Sequence, residues 1–326
     1  MRAIVCKDWG DPETLELGEL PAPALGPGQV RIRMRAAGVN FADCVLVRGQ
    51  YQEKPELPFA PGLEGAGEIM EVGEGVTDFR PGDRVMAVVS AGAYAEQAVC
   101  AASTVFHMPD GMDDATAAAF PVAYGTSHLA LVHRAELKPG ETVLVLGAGG
   151  GVGLTAVECA KALGATVIAA ASTAEKLELA RARGADHLIN YTEEDLRGTL
   201  RELTDGKGVD VVYDPVGGEL AQTAMRSLAW SGRLLVIGFA SGEIPEFPSN
   251  HLLVKNISIV GVFWGAYRKR EPETFRAGFE ELFAWWAAGK LKPHVSQVLP
   301  LADVAKALAM LEGRQAEGRL VIDIDG

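Results

Sequence analysis

One stretch restricts this chain more than any other. Val143-Leu144-Val145-Leu146 is an apolar run, and Gly147-Ala148-Gly149-Gly150-Gly151-Val152-Gly153 follows it without a break. Beyond the glycines, Leu154, Val157, Ala160 and Leu163 recur every three residues, the spacing of one packed helix face. Strand, glycine turn and helix form a unit whose backbone can approach a pyrophosphate, which then rests on the positive N-terminus of the helix. The G-x-G-x-x-G spelling is not met, because its three positions here hold Ala148, Gly150 and Gly153. A glycine turn can also do no more than join a strand to a helix, so its meaning depends on what surrounds it.

What surrounds it is a regular alternation. Six β-rich runs follow residue 123: 142–147, 166–171, 187–191, 209–214, 233–239 and 257–262. Segments of helical composition separate the earlier ones, such as 174–183 with its leucines and charges. Such alternation implies parallel pairing, and six strands make a full dinucleotide-binding sheet. The first third reads differently, with Pro and Gly punctuating short β-runs at 30–35, 67–72 and 84–89. The last stretch holds helical patterns at 272–288 and 301–312 and a final β-run at 320–324. The expected fold class is therefore α/β, a six-stranded doubly wound Rossmann domain beside a β-rich domain. The expected boundaries are 1–122, 123–265, and a return to the first domain over 266–326.

Composition removes several functions. The net charge of −13 opposes a general nucleic-acid or anionic-membrane surface, which needs clustered cations. No apolar run approaches the ~18 residues of a membrane span, and the N-terminus lacks the pattern of a secretory signal. Cys6, Cys44, Cys100 and Cys159 are widely spaced, with no C-x-x-C pair. Reduced thiols in a cytoplasmic protein fit this better than a disulfide frame or a cysteine-rich zinc site.

The end of the second strand of the alternating region bears on the cofactor. NAD-binding folds usually carry an acid there for the ribose 2′-hydroxyl. This chain reads Ala169-Ala170-Ala171-Ser172-Thr173-Ala174-Glu175-Lys176, with no acid at the tip. Hydroxyls and a nearby lysine suit a 2′-phosphate, so the expected cofactor is NADPH. Lys176 has an ordinary alternative as a solvated helix lysine.

Several separated motifs, in order, give the chain its resemblance. They are 36–43 (Ala-Ala-Gly-Val-Asn-Phe-Ala-Asp), Gly49-Gln50-Tyr51, 58–64 (Pro-Phe-Ala-Pro-Gly-Leu-Glu), 79–85 (Phe-Arg-Pro-Gly-Asp-Arg-Val) and 92–96 (Gly-Ala-Tyr-Ala-Glu). Further on stand 121–126 (Pro-Val-Ala-Tyr-Gly-Thr), the glycine loop, 214–218 (Asp-Pro-Val-Gly-Gly) and 237–242 (Ile-Gly-Phe-Ala-Ser-Gly). Along essentially its whole length the chain resembles the quinone oxidoreductase (zeta-crystallin-like) branch of the medium-chain dehydrogenase/reductase superfamily. The resemblance implies that the β-rich domain is the GroES-like catalytic domain. The superfamily's alcohol dehydrogenases hold catalytic zinc with a cysteine where this chain has Asn40 and a histidine where it has Leu63. Neither side chain is a credible zinc donor. A second, four-cysteine lobe is also missing, since Cys100 is the only cysteine between Val89 and Phe120.

Carried onto matching positions, the resemblance implies a cofactor site made of Ala148, Gly149, Gly150, Gly151, Val152 and Gly153. Ser172, Lys176 and Tyr191 would stand near the 2′-phosphate, with Arg314 as a second cation. Gly238, Phe239, Phe263, Trp264 and Gly265 would flank the nicotinamide, although Phe239 and Trp264 are equally suited to a core or an interface. Without a metal, the acceptor's developing negative oxygen must be met by hydrogen-bond donors. Asn40, Tyr51 and Thr126 are the candidates, with Asp43 orienting Asn40 or nearby backbone.

The expected activity is zinc-independent, NADPH-dependent hydride transfer to a quinone or similar conjugated carbonyl. An enoyl or enone (acrylyl-type thioester) reductase is the alternative, and a non-catalytic, crystallin-like cofactor binder is the alternative of another class. The expected partner is a small-molecule substrate, not nucleic acid or membrane, and the family implies a homodimer.

Overall fold

Alternation of apolar and polar residues yields the strands of the first part of the chain. They are β1 (Arg2–Val5), β2 (Glu16–Glu19), β3 (Gln29–Gly38), β4 (Glu64–Val72), β5 (Arg84–Val88), β6 (Gln97–Ala101) and β7 (Val105–His107). In β3, Val30, Ile32, Met34 and Ala36 are buried while Arg31, Arg33 and Arg35 keep some exposure, the period-two pattern of a strand with one face on a core. The computed structural model describes all of residues 1–326 and divides into two compact units, Met1–Val122 with Pro293–Gly326, and Ala123–Lys292.

The second unit carries β8 (Thr142–Leu146), β9 (Thr166–Ala171), β10 (His187–Asn190), β11 (Val209–Asp214), β12 (Leu228–Val236) and β13 (Ser258–Gly261). All six pair in parallel in the order β10-β9-β8-β11-β12-β13. This is the doubly wound order, and its reversal point lies between β8 and β11. Strands buried on both faces need continuous apolar runs, and β8 and β9 supply them.

Beneath the sheet, Glu158 of the helix Gly151–Ala162 is 3% exposed. It accepts hydrogen bonds from the Tyr124 hydroxyl at 2.6 Å and the Lys292 backbone N–H at 3.1 Å, with Arg183 Nε at 3.4 Å. Burial raises the Glu158 carboxyl above its ordinary range, and the bond from Tyr124 opposes that rise.

The chain then returns to the first unit with β14 (Val295–Pro300) and β15 (Arg319–Asp323). These extend its sheet to the order β14-β15-β3-β4-β5-β7, with β6 also paired to β3. The return begins at Pro293, whereas the sequence suggests residue 266. The intervening helices Trp264–Arg270 and Pro272–Ala287 stay with the second unit because an aromatic cluster holds them there. Trp264 packs on Phe275 and Phe279, with ring centres 5.3 and 6.4 Å away, and its indole lies over Gly125, where a Cβ would come within 2.4 Å of the ring. No helix is long and apolar enough to cross a membrane.

Candidate functional site

In the second unit, the glycine loop leaves β8 at Gly147, whose φ of 58° is open to glycine at little cost. The Ala148 N–H donates to Ala170 O at 3.0 Å, tying the loop to the neighbouring strand. Gly150 then stands at the N-cap of the helix Gly151–Ala162 with no side-chain cap. The first-turn N–H groups of a helix have no partners within it, so Gly151, Val152 and Gly153 present donors at its positive end. The Val152 carbonyl, by contrast, is fixed, accepting from the Ser127 and Thr155 hydroxyls at 3.2 and 3.0 Å.

Two of the glycines are required by space alone. A Cβ on Gly153 would lie 2.2 Å from Gly147 O and 2.8 Å from Ala148 Cα. A Cβ on Gly149 would lie 2.4 Å from the Lys176 Cβ, so the lysine stem passes directly over the loop. The loop is therefore a backbone-lined cradle with a cation's stem at one side, which is what a phosphorylated dinucleotide needs.

Around the end of β9 the sequence candidates come together. Ser172 follows the strand, and its carbonyl accepts from the Thr192 hydroxyl at 3.2 Å. The Tyr191 N–H donates to Ala171 O at 3.2 Å, and Thr173 caps the helix Ala174–Ala182 by accepting from the Lys176 N–H at 3.3 Å. Gly238 and Phe239 follow β12, and the Gly238 N–H donates to Asp214 O at 3.4 Å. A Cβ on Gly217 would meet the Phe239 ring at 3.2 Å. Phe263 is 42% exposed, while Trp264 is only 7% exposed and belongs to the aromatic core described above. Gly265 is the second residue of the same helix, and Thr126 is half-buried on the helix Pro121–His128. Arg314 is not in this unit. It belongs to the first, exposed and at φ 57°, just past the helix Val304–Glu312.

The first unit places the remaining candidates at the end of β3. Asn40 is the N-cap of the helix Phe41–Val47 and is 4% exposed. The Asn40 N–H donates to Asp43 Oδ2 at 2.8 Å, and the same oxygen accepts from the Tyr94 hydroxyl at 2.7 Å. Asn40 Nδ2 donates to Glu64 Oε1 at 2.8 Å, and Arg319 Nη1 donates to Asn40 Oδ1 at 3.0 Å. Arg319 Nη2 closes the ring on Glu64 Oε1, while Glu64 Oε2 takes the Val122 N–H at 2.7 Å. Burial lifts the Asp43 carboxyl to about 7 against the opposing pull of Tyr94 and the Asn40 N–H. Burial also raises Glu64, with Arg319 the main opposing charge. Tyr51 is half-buried against the core of this unit.

Glu64, Tyr94 and Arg319 are functional candidates that sequence alone does not single out. Glu64 and Tyr94 sit inside the recurring motifs, and Arg319 directly precedes an apolar β-run. A charge opening a buried strand is the signal that points to Glu64 and Arg319. The donor set does not suit zinc. Position 40 offers an amide already engaged at both ends, position 63 a buried leucine, and no group of three His, Cys, Asp or Glu side chains is disposed to hold a metal ion.

Residues 26–110 match the family described as alcohol dehydrogenase GroES-like domain, and residues 151–284 match that described as zinc-binding dehydrogenase. A quinone oxidoreductase-like protein 2 homolog from Nematostella vectensis is 41% identical over 325 residues, spanning 99% of this chain and 88% of its own. Escherichia coli quinone oxidoreductase complexed with NADPH superposes with a TM-score of 0.92 at 32% identity, covering 99% of this chain and 100% of that one. A mycobacterial protein, also complexed with NADPH, gives 0.93 at 36%, again covering 99% and 100%. Both halves of the fold, the glycine loop and the residues at positions 40 and 63 thus converge on one assignment: the chain belongs to the quinone oxidoreductase branch of the medium-chain dehydrogenase/reductase superfamily.

Proposed function

We propose that this protein is a zinc-independent, NADPH-dependent reductase of quinones or similar conjugated carbonyl compounds. The observation that carries the reading is the Asn40 amide, buried and hydrogen-bonded between Glu64 and Arg319 at the position where a metal-using relative would need a ligand. The relatives' names and the two NADPH complexes support the choice of acceptor class and cofactor.

NADPH, when bound, supplies the hydride. Ala148 to Gly153 would hold its pyrophosphate through backbone donors, Ser172, Lys176 and Tyr191 would receive the 2′-phosphate, and Arg314 is the candidate for a further cation. Gly238, Phe239, Phe263, Trp264 and Gly265 would flank the nicotinamide, Trp264 from a position also packed on Phe275 and Phe279. Asn40 and Tyr51 donate hydrogen bonds to the acceptor's oxygen as negative charge grows there, and Thr126 is the further candidate donor. Asp43 orients Asn40 through its backbone N–H. Donors already in place are effective because they need not reorganise as the charge develops.

The edge strand β13 has one open side, and Leu253, Val254 and Phe263 of the same unit are exposed. A second copy pairing there makes a homodimer and removes the open edge. Four free, buried thiols are in keeping with a cytoplasmic protein.

The test is turnover of NADPH or NADH with a panel of quinones, enones and enoyl thioesters, before and after prolonged chelation. NADPH oxidation with a quinone, unchanged by chelation, is expected. Activity confined to enoyl thioesters moves the enzyme to the alternative acceptor class, and a stoichiometric zinc whose removal stops turnover refutes the metal-free chemistry. Lys176→Ala is expected to weaken NADPH binding by ~1–3 kcal/mol, the range for losing a charge-assisted contact to phosphate, and to leave NADH almost untouched. Titration of both cofactors against both proteins measures this, and an equal loss for the two would remove Lys176 from the phosphate site.

A further inference from the structure

We infer that Arg319 and Glu64 together fix the orientation of the Asn40 amide, so that its free Nδ2 hydrogen is presented as a donor to the acceptor. The inference rests on the reading that Asn40 meets the acceptor's oxygen.

An asparagine amide can be turned over with little change in shape, exchanging oxygen for nitrogen. Here the two ends face opposite charges. A guanidinium has only donors, so Arg319 Nη1, at 3.0 Å, requires the amide oxygen. Glu64 Oε1 also receives Arg319 Nη2, so this oxygen is an acceptor and requires the amide nitrogen at 2.8 Å. Turning the amide over would set two donors against each other on one side and two oxygens on the other. Arg319 is 6% exposed and Glu64 fully buried, so water is not at hand to relieve either contact.

The backbone removes the remaining freedom. The Val39 N–H donates to Leu320 O at 3.0 Å, and the Asn40 N–H to Asp43 Oδ2 at 2.8 Å. Glu64 is itself held by the Val122 N–H. With one Oδ1 lone pair committed to Arg319 and one Nδ2 hydrogen to Glu64, a lone pair and a hydrogen remain, and of these only the hydrogen can bind a carbonyl oxygen. A ketone or quinone oxygen accepts it, and its hold strengthens as that oxygen gains charge. Arg319 is therefore a positioning residue that acts through Asn40.

A double-mutant cycle on the full chain tests this, with 1,4-benzoquinone as the acceptor probe and NADPH affinity measured separately on each protein. Asn40→Ala is expected to lower kcat/KM roughly tenfold or more, and Arg319→Met by a similar factor. Added to Asn40→Ala, Arg319→Met should cost less than about twofold, because the group it positions is gone. NADPH affinity should stay within about twofold throughout, a split that general destabilisation of the fold would not produce. An equal cost of Arg319→Met in both backgrounds overturns the positioning role and leaves Asn40 in place. Full activity of Asn40→Ala overturns the reading on which the role rests. Should Arg319→Met not fold, Asn40→Asp answers the same question, since it keeps the Arg319 contact and replaces the donor with a second oxygen. Loss equal to that of Asn40→Ala supports the inference, and retained activity refutes it.

Discussion

Gly153→Ala is expected to weaken NADPH binding about tenfold or more and to destabilise the second unit, whereas Gly150→Ala is expected to spare the fold. The new Cβ at 153 falls 2.2 Å from Gly147 O and within 3 Å of two further backbone atoms, none of which can rotate away. Helix and loop must separate, at about 1–3 kcal/mol for overpacking of this kind. The same displacement moves the first-turn N–H groups off their target, and a tenfold loss of NADPH affinity corresponds to ~1.4 kcal/mol. At Gly150 the Cβ meets only Gly147 O, at 3.4 Å, an ordinary contact. Thermal melting with and without NADPH separates the two. A Gly153→Ala protein with normal melting and normal affinity would show that the loop gives way freely, and that the close approach is incidental.

Glu158→Ala is expected to be the most destabilising exchange of a single polar group in the second unit. It removes the oxygen that accepts from both the Tyr124 hydroxyl and the Lys292 N–H, and the negative charge that faces Arg183. Breaking a buried ion pair from one side costs about 3–5 kcal/mol, because the remaining charge and donors stay desolvated. For a unit of this size that corresponds to roughly 6–20 °C in melting temperature. Glu158→Gln keeps an oxygen for Tyr124 and Lys292 and gives up only the charge facing Arg183, so it should lose less than half as much. Equal melting of Glu158→Ala and the unaltered protein would mean that these three groups find other partners.

The two units differ in how openly the sequence declares them. Strand, loop and helix in the second unit are local, so period, glycine placement and the bare tip of β9 can be read within short windows. The strand runs at 166–171 and 209–214 coincide with β9 and β11 to the residue. The polar ring of the first unit is invisible to such windows, because Arg319 and Asn40 stand 279 residues apart. Asn40 is suggested by resemblance to metal-using relatives, but its charged partners emerge only when β15 is laid beside β3. Trp264 is read from the sequence as either a nicotinamide neighbour or a core aromatic, and its burial on Phe275 and Phe279 supplies the packing that a short window does not show. The boundary at residue 293 was hidden for the same reason, since the apolar face that ties 272–287 to its neighbours says nothing about which neighbours they are.

The position of β15 has a consequence for biosynthesis. It lies inside the sheet, between β14 and β3, although it follows the other fourteen strands described in chain order. On the ribosome, the first 122 residues therefore emerge with Ala36–Gly38 of β3 lacking the partner that β15 supplies, beyond the stretch paired to β6, and with Asn40 and Glu64 lacking their guanidinium. The uninterrupted segment 123–292 has every strand of its sheet before residues 293–326 are made, so this later-made half can fold to completion first. Until residues 319–323 arrive, the nascent protein exposes an open strand edge, the state in which a holdase chaperone has most to protect.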